Sequence, residues 1–113
     1  MATIYSSYTL VTGVPEVKGY GGPKIPVAAT MTELSGYVVG GSDVDFNVEE
    51  RSACNSAGTN VVTTDLTADA NVVSSTDFSN AAIAANSFLW LDVSEITTPG
   101  TSLCVTAAWS YTV

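Results

Sequence analysis

Residues 103–113, Leu-Cys-Val-Thr-Ala-Ala-Trp-Ser-Tyr-Thr-Val, close the chain and alternate with period two. Leu103, Val105, Ala107, Trp109, Tyr111 and Val113 share one side; Cys104, Thr106, Ala108, Ser110 and Thr112 share the other. The run is rich in β-branched and aromatic residues and free of Gly and Pro, which predicts a strand. A strand of this length with one apolar face must lay that face against a second sheet, and the rest of the chain has to supply it.

The same reading extends backwards. Thr97-Thr98-Pro99-Gly100 is a turn signal, Pro then Gly. Residues 88–93 form a strand that is apolar on both faces, Leu89, Leu91 and Val93 against Phe88 and Trp90, so it should be central or covered. Residues 80–86 are mostly alanine but too few to hold a helix unaided, and an extended segment is favoured over a short helical turn. Short strands are expected at 60–66 and 72–78. Residues 43–49 alternate cleanly, with Val44, Phe46 and Val48 inward and Asp43, Asp45, Asn47 and Glu49 outward. Earlier strands are expected at 4–11, 25–31 and 34–39, the last two separated by a bulge near Gly36. Between them, Gly13, Pro15, Gly19, Gly21, Gly22, Pro23 and Pro26 leave no room for a helix or central strand, so residues 12–24 should be an irregular loop or arm. About seven or eight short strands without a convincing helix make the chain an all-β, antiparallel, jelly-roll-like sandwich in a single domain over 1–113.

Composition narrows function by exclusion. Eleven acids face only Lys18, Lys24 and Arg51, a net charge of −8 with no histidine. Nucleic acid and anionic membrane surfaces both select for clustered cations, so neither is an expected partner. No run approaches the ~18 apolar residues of a membrane span, and 1–5 lack the features of a signal peptide. The fold is expected to begin with the chain, without targeting segment or linker. Cys54 lies in a Ser/Asn/Gly-rich loop and Cys104 on the less apolar face of the last strand. They read as free thiols, although a disulfide stays open.

Catalytic constellations are not expected. Without histidine, Ser-His-Asp and Cys-His pairs cannot be built. Asp43, Asp45 and Glu49 fall on a wet strand face rather than in a cleft, and Asp65, Asp69 and Asn71 lack the spacing of a calcium loop. The Gly19–Gly22 stretch lacks the Lys-Ser/Thr of a phosphate loop. No metal and no cofactor are expected. Aromatics at Tyr5, Tyr8, Tyr20, Tyr37, Trp90, Trp109 and Tyr111 could stack on sugars, but core or interface duty is the commoner use.

Residues 24–31 (KIPVAATM), 36–39, 44–48 (VDFNV), 82–93 (AIAANSFLWLDV) and 103–112 together resemble a small jelly-roll domain of tailed-bacteriophage virion proteins, found in capsid decoration (cement) proteins and in fibres. The resemblance covers nearly all the chain from about residue 20 onward; 12–24 do not match. It implies a structural, non-enzymatic role. A stand-alone domain of this size looks most like a cement protein on the outer capsid surface, made in the host cytoplasm, that binds between subunits of the major capsid protein and self-associates as a dimer or trimer. A tail-fibre or carbohydrate-adhesive module is the alternative. The expected partner contact is the arm, through Glu16, Lys18, Tyr20 and Lys24, with Tyr20 as its exposed anchor.

Overall fold

The computed structural model describes residues 1–113. Ten strands succeed one another without a helix: β1 (Thr3–Val11), β2 (Gly19–Ile25), β3 (Ala29–Val39), β4 (Ser42–Arg51), β5 (Thr59–Asn60), β6 (Leu66–Ala68), β7 (Val73–Ser75), β8 (Ala82–Ile83), β9 (Ser87–Thr98) and β10 (Ser102–Thr112). Sheet 1 runs β1-β10-β3-β7 with β8 also on β3; sheet 2 runs β2-β9-β4-β5 with β6 also on β4. Every pairing is antiparallel. This is the winding of a jelly roll, and the count exceeds expectation because two strand positions are each split in two.

Both splits have local causes. Against β3, the register with β10 slips between Ala108 and Trp109, leaving Thr32 as the extra residue. That bulge interrupts the outer neighbour, so β8 pairs at Ala29–Thr30 and β7 only at Leu34–Gly36. Against β4, the chain leaves the ladder between β5 and β6. There the Asn47 side chain takes over as partner of Val62: its amide donates to the Val62 carbonyl at 3.0 Å and its oxygen accepts the Val62 N–H at 3.2 Å. The bulge therefore lies at Thr32, not near Gly36. Gly36 sits in regular strand, where a Cβ would come 2.7 Å from the Phe46 ring and 3.0 Å from the Cys104 carbonyl.

On β10 and β4 the inward sides are those the alternation assigns; β9, apolar on both faces, turns Leu89, Leu91 and Val93 inward. Leu103, Val105, Ala107 and Trp109 of β10 meet Val44, Phe46 and Val48 of β4 and Leu89, Leu91 and Val93 of β9 in one buried core. Both β10 and β9 are central in their sheets. At one end two of the chain's changes of sheet, from β3 to β4 and from β9 to β10, are made by tight turns. Gly40 and Gly100 adopt φ of 73° and 65° there, conformations that favour glycine. The two turns pack so closely that a Cβ on Gly100 would strike the Val39 carbonyl and lie 2.6 Å from the Gly41 nitrogen.

Two further sequence-based expectations need correction. Residues 19–25 are not irregular loop but the edge strand β2, paired to β9 with a register shift between Gly21 and Lys24. Pro23 is tolerated because it falls at that shift, on an edge. Asn47, expected in solvent, is only 1% exposed. The alternation placed it correctly on the outer face of sheet 2, but residues 61–65 cover that face.

Candidate interaction surfaces

The two outer faces differ in charge. On the outer face of sheet 2, β4 and β9 carry Asp43, Asp45, Glu49, Asp92 and Glu95. On sheet 1 the outward residues follow from the registers: Thr3, Tyr5, Ser7, Thr9 and Val11 of β1; Cys104, Thr106, Ala108, Ser110 and Thr112 of β10; Thr30, Glu33, Ser35, Tyr37 and Val39 of β3. Glu33 is the one charged side chain among them. Near one end of this face, Val11, Tyr37, Val72, Cys104 and Thr106 line a shallow depression of about 330 Å³. The cross-strand neighbour Cys104 raises the Tyr37 pKa, chiefly through a hydrogen bond between the two side chains.

On the acidic face the groups are tied into the scaffold. Arg51 bonds Glu49 at 3.0 Å, donates to the Cys54 carbonyl at 2.9 Å and lies 4.6 Å from the Trp90 ring centroid. Trp90 in turn lies along β2, where Gly19 and Gly21 provide a shelf: a Cβ at 19 would strike the indole nitrogen, and one at 21 would touch the ring at 3.5 Å. The glycines that read as punctuation are a seat for tryptophan. Asp65 accepts from Asn47 at 3.0 Å and from Ser94 at 2.8 Å, whereas Asp69 accepts the Asn71 N–H at 2.8 Å. The two aspartates flank β6 and serve different partners, so they do not converge on one point.

Two carboxylates respond to this packing in opposite directions. Burial pushes the Glu50 pKa up, but hydrogen bonds from Asn80, Ser87 and the Ala84 N–H outweigh it, and the net shift is downward. Its stabilising contribution is therefore present above its unfolded pKa and lost as pH falls through the lower folded value. Asp92 is raised by burial first, then by Glu49 and Asp65, against the opposing pull of Arg51. A raised carboxyl destabilises the fold at neutral pH and is relieved as pH falls through its folded value. Asp92→Asn is expected to stabilise the protein at pH 7 by roughly half a kcal/mol, the scale of one like-charge cross-strand contact. In urea titrations the gain should vanish once the medium is acid enough to protonate Asp92 in the parent.

The predicted contact residues form a local cluster on their own domain. Lys18 bridges Glu16 at 3.1 Å and lies 5.1 Å from the Tyr20 ring centroid, while the Glu16 N–H donates to the Tyr20 hydroxyl at 2.8 Å. The Glu16 hydrogen bond and charge, helped by Tyr20, raise the Lys18 pKa. Tyr20 is half-buried against the core, so it anchors the loop from inside rather than offering an exposed anchor. Lys24 points out of β2, 5.9 Å from the Phe88 ring centroid. Lys18 and Glu16 keep exposed side chains, at 53% and 68%, and could meet a partner.

The aromatics do not gather into a platform. Trp109 is buried, Tyr111 packs on the core, and Trp90 is held between Arg51 and β2. Tyr5 and Tyr37 remain on the outer face of sheet 1, opposite Ser110 and Cys104 at different ends of β10. Cys54 and Cys104 are free, one on the loop after β4 and the other on sheet 1. Sequence reasoning missed the nearly uncharged face because it appears only when β1, β10 and β3 are set side by side.

No family model matches the chain, and no curated protein matches it. Among solved structures, its fold is similar to that of a chain in the cyanophage Pam1 capsid asymmetric unit, with a TM-score of 0.50 and 13% identity, over 98% of this chain and 84% of that one. At that identity the likeness is one of fold.

Proposed function

We propose that this protein is a non-catalytic structural component of a tailed-phage virion, and within that class a capsid decoration protein. The outer face of sheet 1 seats on the major capsid protein, and the acidic face of sheet 2 turns away from the shell. The observation that carries this reading is the segregation of charge: a chain of net charge −8 keeps one broad sheet face almost free of it. Interface centres are depleted in charged residues, because each buried charge must be desolvated. The fold shared with a chain of a phage capsid supports the same reading. The function is mechanical: area buried between subunits lowers the free energy of the assembled shell relative to its parts.

The test is rebinding of purified protein to heads that lack it, with occupancy read by electron microscopy. Thr106→Glu places a charge mid-face on β10 and should weaken binding by about tenfold or more, as expected for an unpaired buried charge. Lys18→Glu with Lys24→Glu tests the loop and β2 as a secondary contact and should lower occupancy by a smaller factor. Full occupancy of the Thr106 variant would defeat the docking face, and density found only at the tail would favour the fibre reading.

A further inference from the structure

A sandwich of two open sheets has four edges, and three of them here are guarded. The sheet 1 edge opposite β1 is made of β7 and β8, three and two residues long. The sheet 2 edge beyond β4 is likewise short, β5 and β6 having two and three residues. At its other edge β2 is broken by the Gly22-Pro23 irregularity and carries Lys24. Short strands, proline, bulges and lysine are the devices by which sheets avoid pairing with another chain. The fourth edge has none of them. β1 runs nine residues, Thr-Ile-Tyr-Ser-Ser-Tyr-Thr-Leu-Val, regular in register and without charge, Gly or Pro.

The hydrogen-bond phase shows what this edge presents. Ala2 and Val113 exchange both backbone bonds, at 3.3 and 3.0 Å, and the Thr12 N–H reaches the Leu103 carbonyl at 2.9 Å. With that phase, Ile4, Ser6, Tyr8 and Leu10 face β10, while Thr3, Tyr5, Ser7, Thr9 and Val11 point their N–H and C=O groups outward.

We propose that β1 pairs with β1 of a second copy of this chain, antiparallel and centred on Ser7, joining two first sheets into one continuous sheet. The register is self-complementary: Ser7 meets Ser7, Tyr5 meets Thr9 and Thr3 meets Val11, so every outward backbone group finds a partner. On the inner side, Ile4 comes opposite Leu10 and Ser6 opposite Tyr8. Ile4 and Tyr8 point inward yet remain 37% and 41% exposed at the open margin of the sandwich, and this pairing would cover them. Repulsion between two chains of net charge −8 is least where the contact itself carries no charge; β1 is such a place. A second copy is favoured over a foreign peptide because the strand complements itself residue by residue.

The proposal does not depend on the capsid reading, since it is read on purified protein. Sedimentation of the 113-residue chain should give twice the monomer mass at micromolar concentration. Ser7→Pro removes an N–H that faces away from β10, and Ser7→Glu sets like charges opposite each other across the twofold axis. Either should raise the dimer dissociation constant by about tenfold or more while the β-sheet circular dichroism is retained. With Cys54→Ser and Cys104→Ser in place, Ser7→Cys should cross-link under mild oxidation and Thr9→Cys should not, because residue 9 lies opposite residue 5. A species of monomer mass at high concentration, a dimer or trimer that survives both Ser7 variants, or preferential cross-linking through residue 9 would each overturn it.

Discussion

Asn47→Leu is expected to lower the unfolding free energy by about 3 kcal/mol, the cost of stranding three buried backbone groups without partners. The substitution keeps the branching and the number of side-chain heavy atoms, so no cavity is left and the loss is chiefly one of hydrogen bonds. Asn47 uses all of its amide: it donates to the Val62 carbonyl and to Asp65, and accepts from the N–H groups of Val62 and Val48. Val62 is fully buried, and no water can replace what the amide supplies. Asn47→Asp is isosteric but should be at least as damaging near neutrality. It would turn a charged oxygen toward the Val62 carbonyl and toward the Asp65 carboxylate. Acid should restore part of the loss, because protonation returns a donor. Urea denaturation at pH 7 and in acid separates these cases, and a loss well under 1 kcal/mol for the Leu variant would show that Val62 finds another partner.

The second large effect is expected where a ring of one sheet stands on a glycine of the other. Phe46→Ala should cost about 4 kcal/mol, the range for a buried phenylalanine whose cavity cannot collapse. Its ring is fully buried and stands over Gly36 of the opposite sheet. Gly36→Ala should cost about 2 kcal/mol by overpacking, since the new methyl meets the ring on one side and the Cys104 carbonyl on the other. The pair is a coupling test. Gly36→Ala with Phe46→Leu should be less damaging than the two single changes added together, because the shorter side chain vacates the space the methyl needs. Simple additivity would mean that the glycine is present for its backbone alone.

These sites mark how far the sequence was legible. Period-two alternation placed β10, β9 and β4 and assigned the inner faces of β10 and β4 correctly, because apolar burial acts residue by residue; β9, apolar on both sides, left its inner face open. Alternation could not say what covers an outer face. Asn47 points outward as its position requires, and only the return of residues 61–65 makes it a buried clamp. Glycine in a strand has two common causes, irregularity or close approach; at Gly36 the cause is close approach, and the extra residue falls at Thr32, which carries no such mark. The Gly/Pro stretch correctly excluded a central strand but hid an edge strand, since an edge tolerates proline and Trp90 needs the glycines beneath it. As for the proposed contact, the basic residues were visible, but the folding of Tyr20 inward and the bare face of sheet 1 are consequences of pairing partners far apart in sequence.

That remoteness governs how the chain reaches its fold. β1 meets only β10 within its sheet, β2 only β9, and β3 waits for β10, so each sheet stays incomplete until distant ends have found each other. Loop closure is therefore charged before contacts can offset it, a regime of slow, all-or-none folding. No fragment that lacks either end contains a complete sheet 1. Cleaving the chain midway should leave two pieces with nothing to fold against, rather than two halves of a protein.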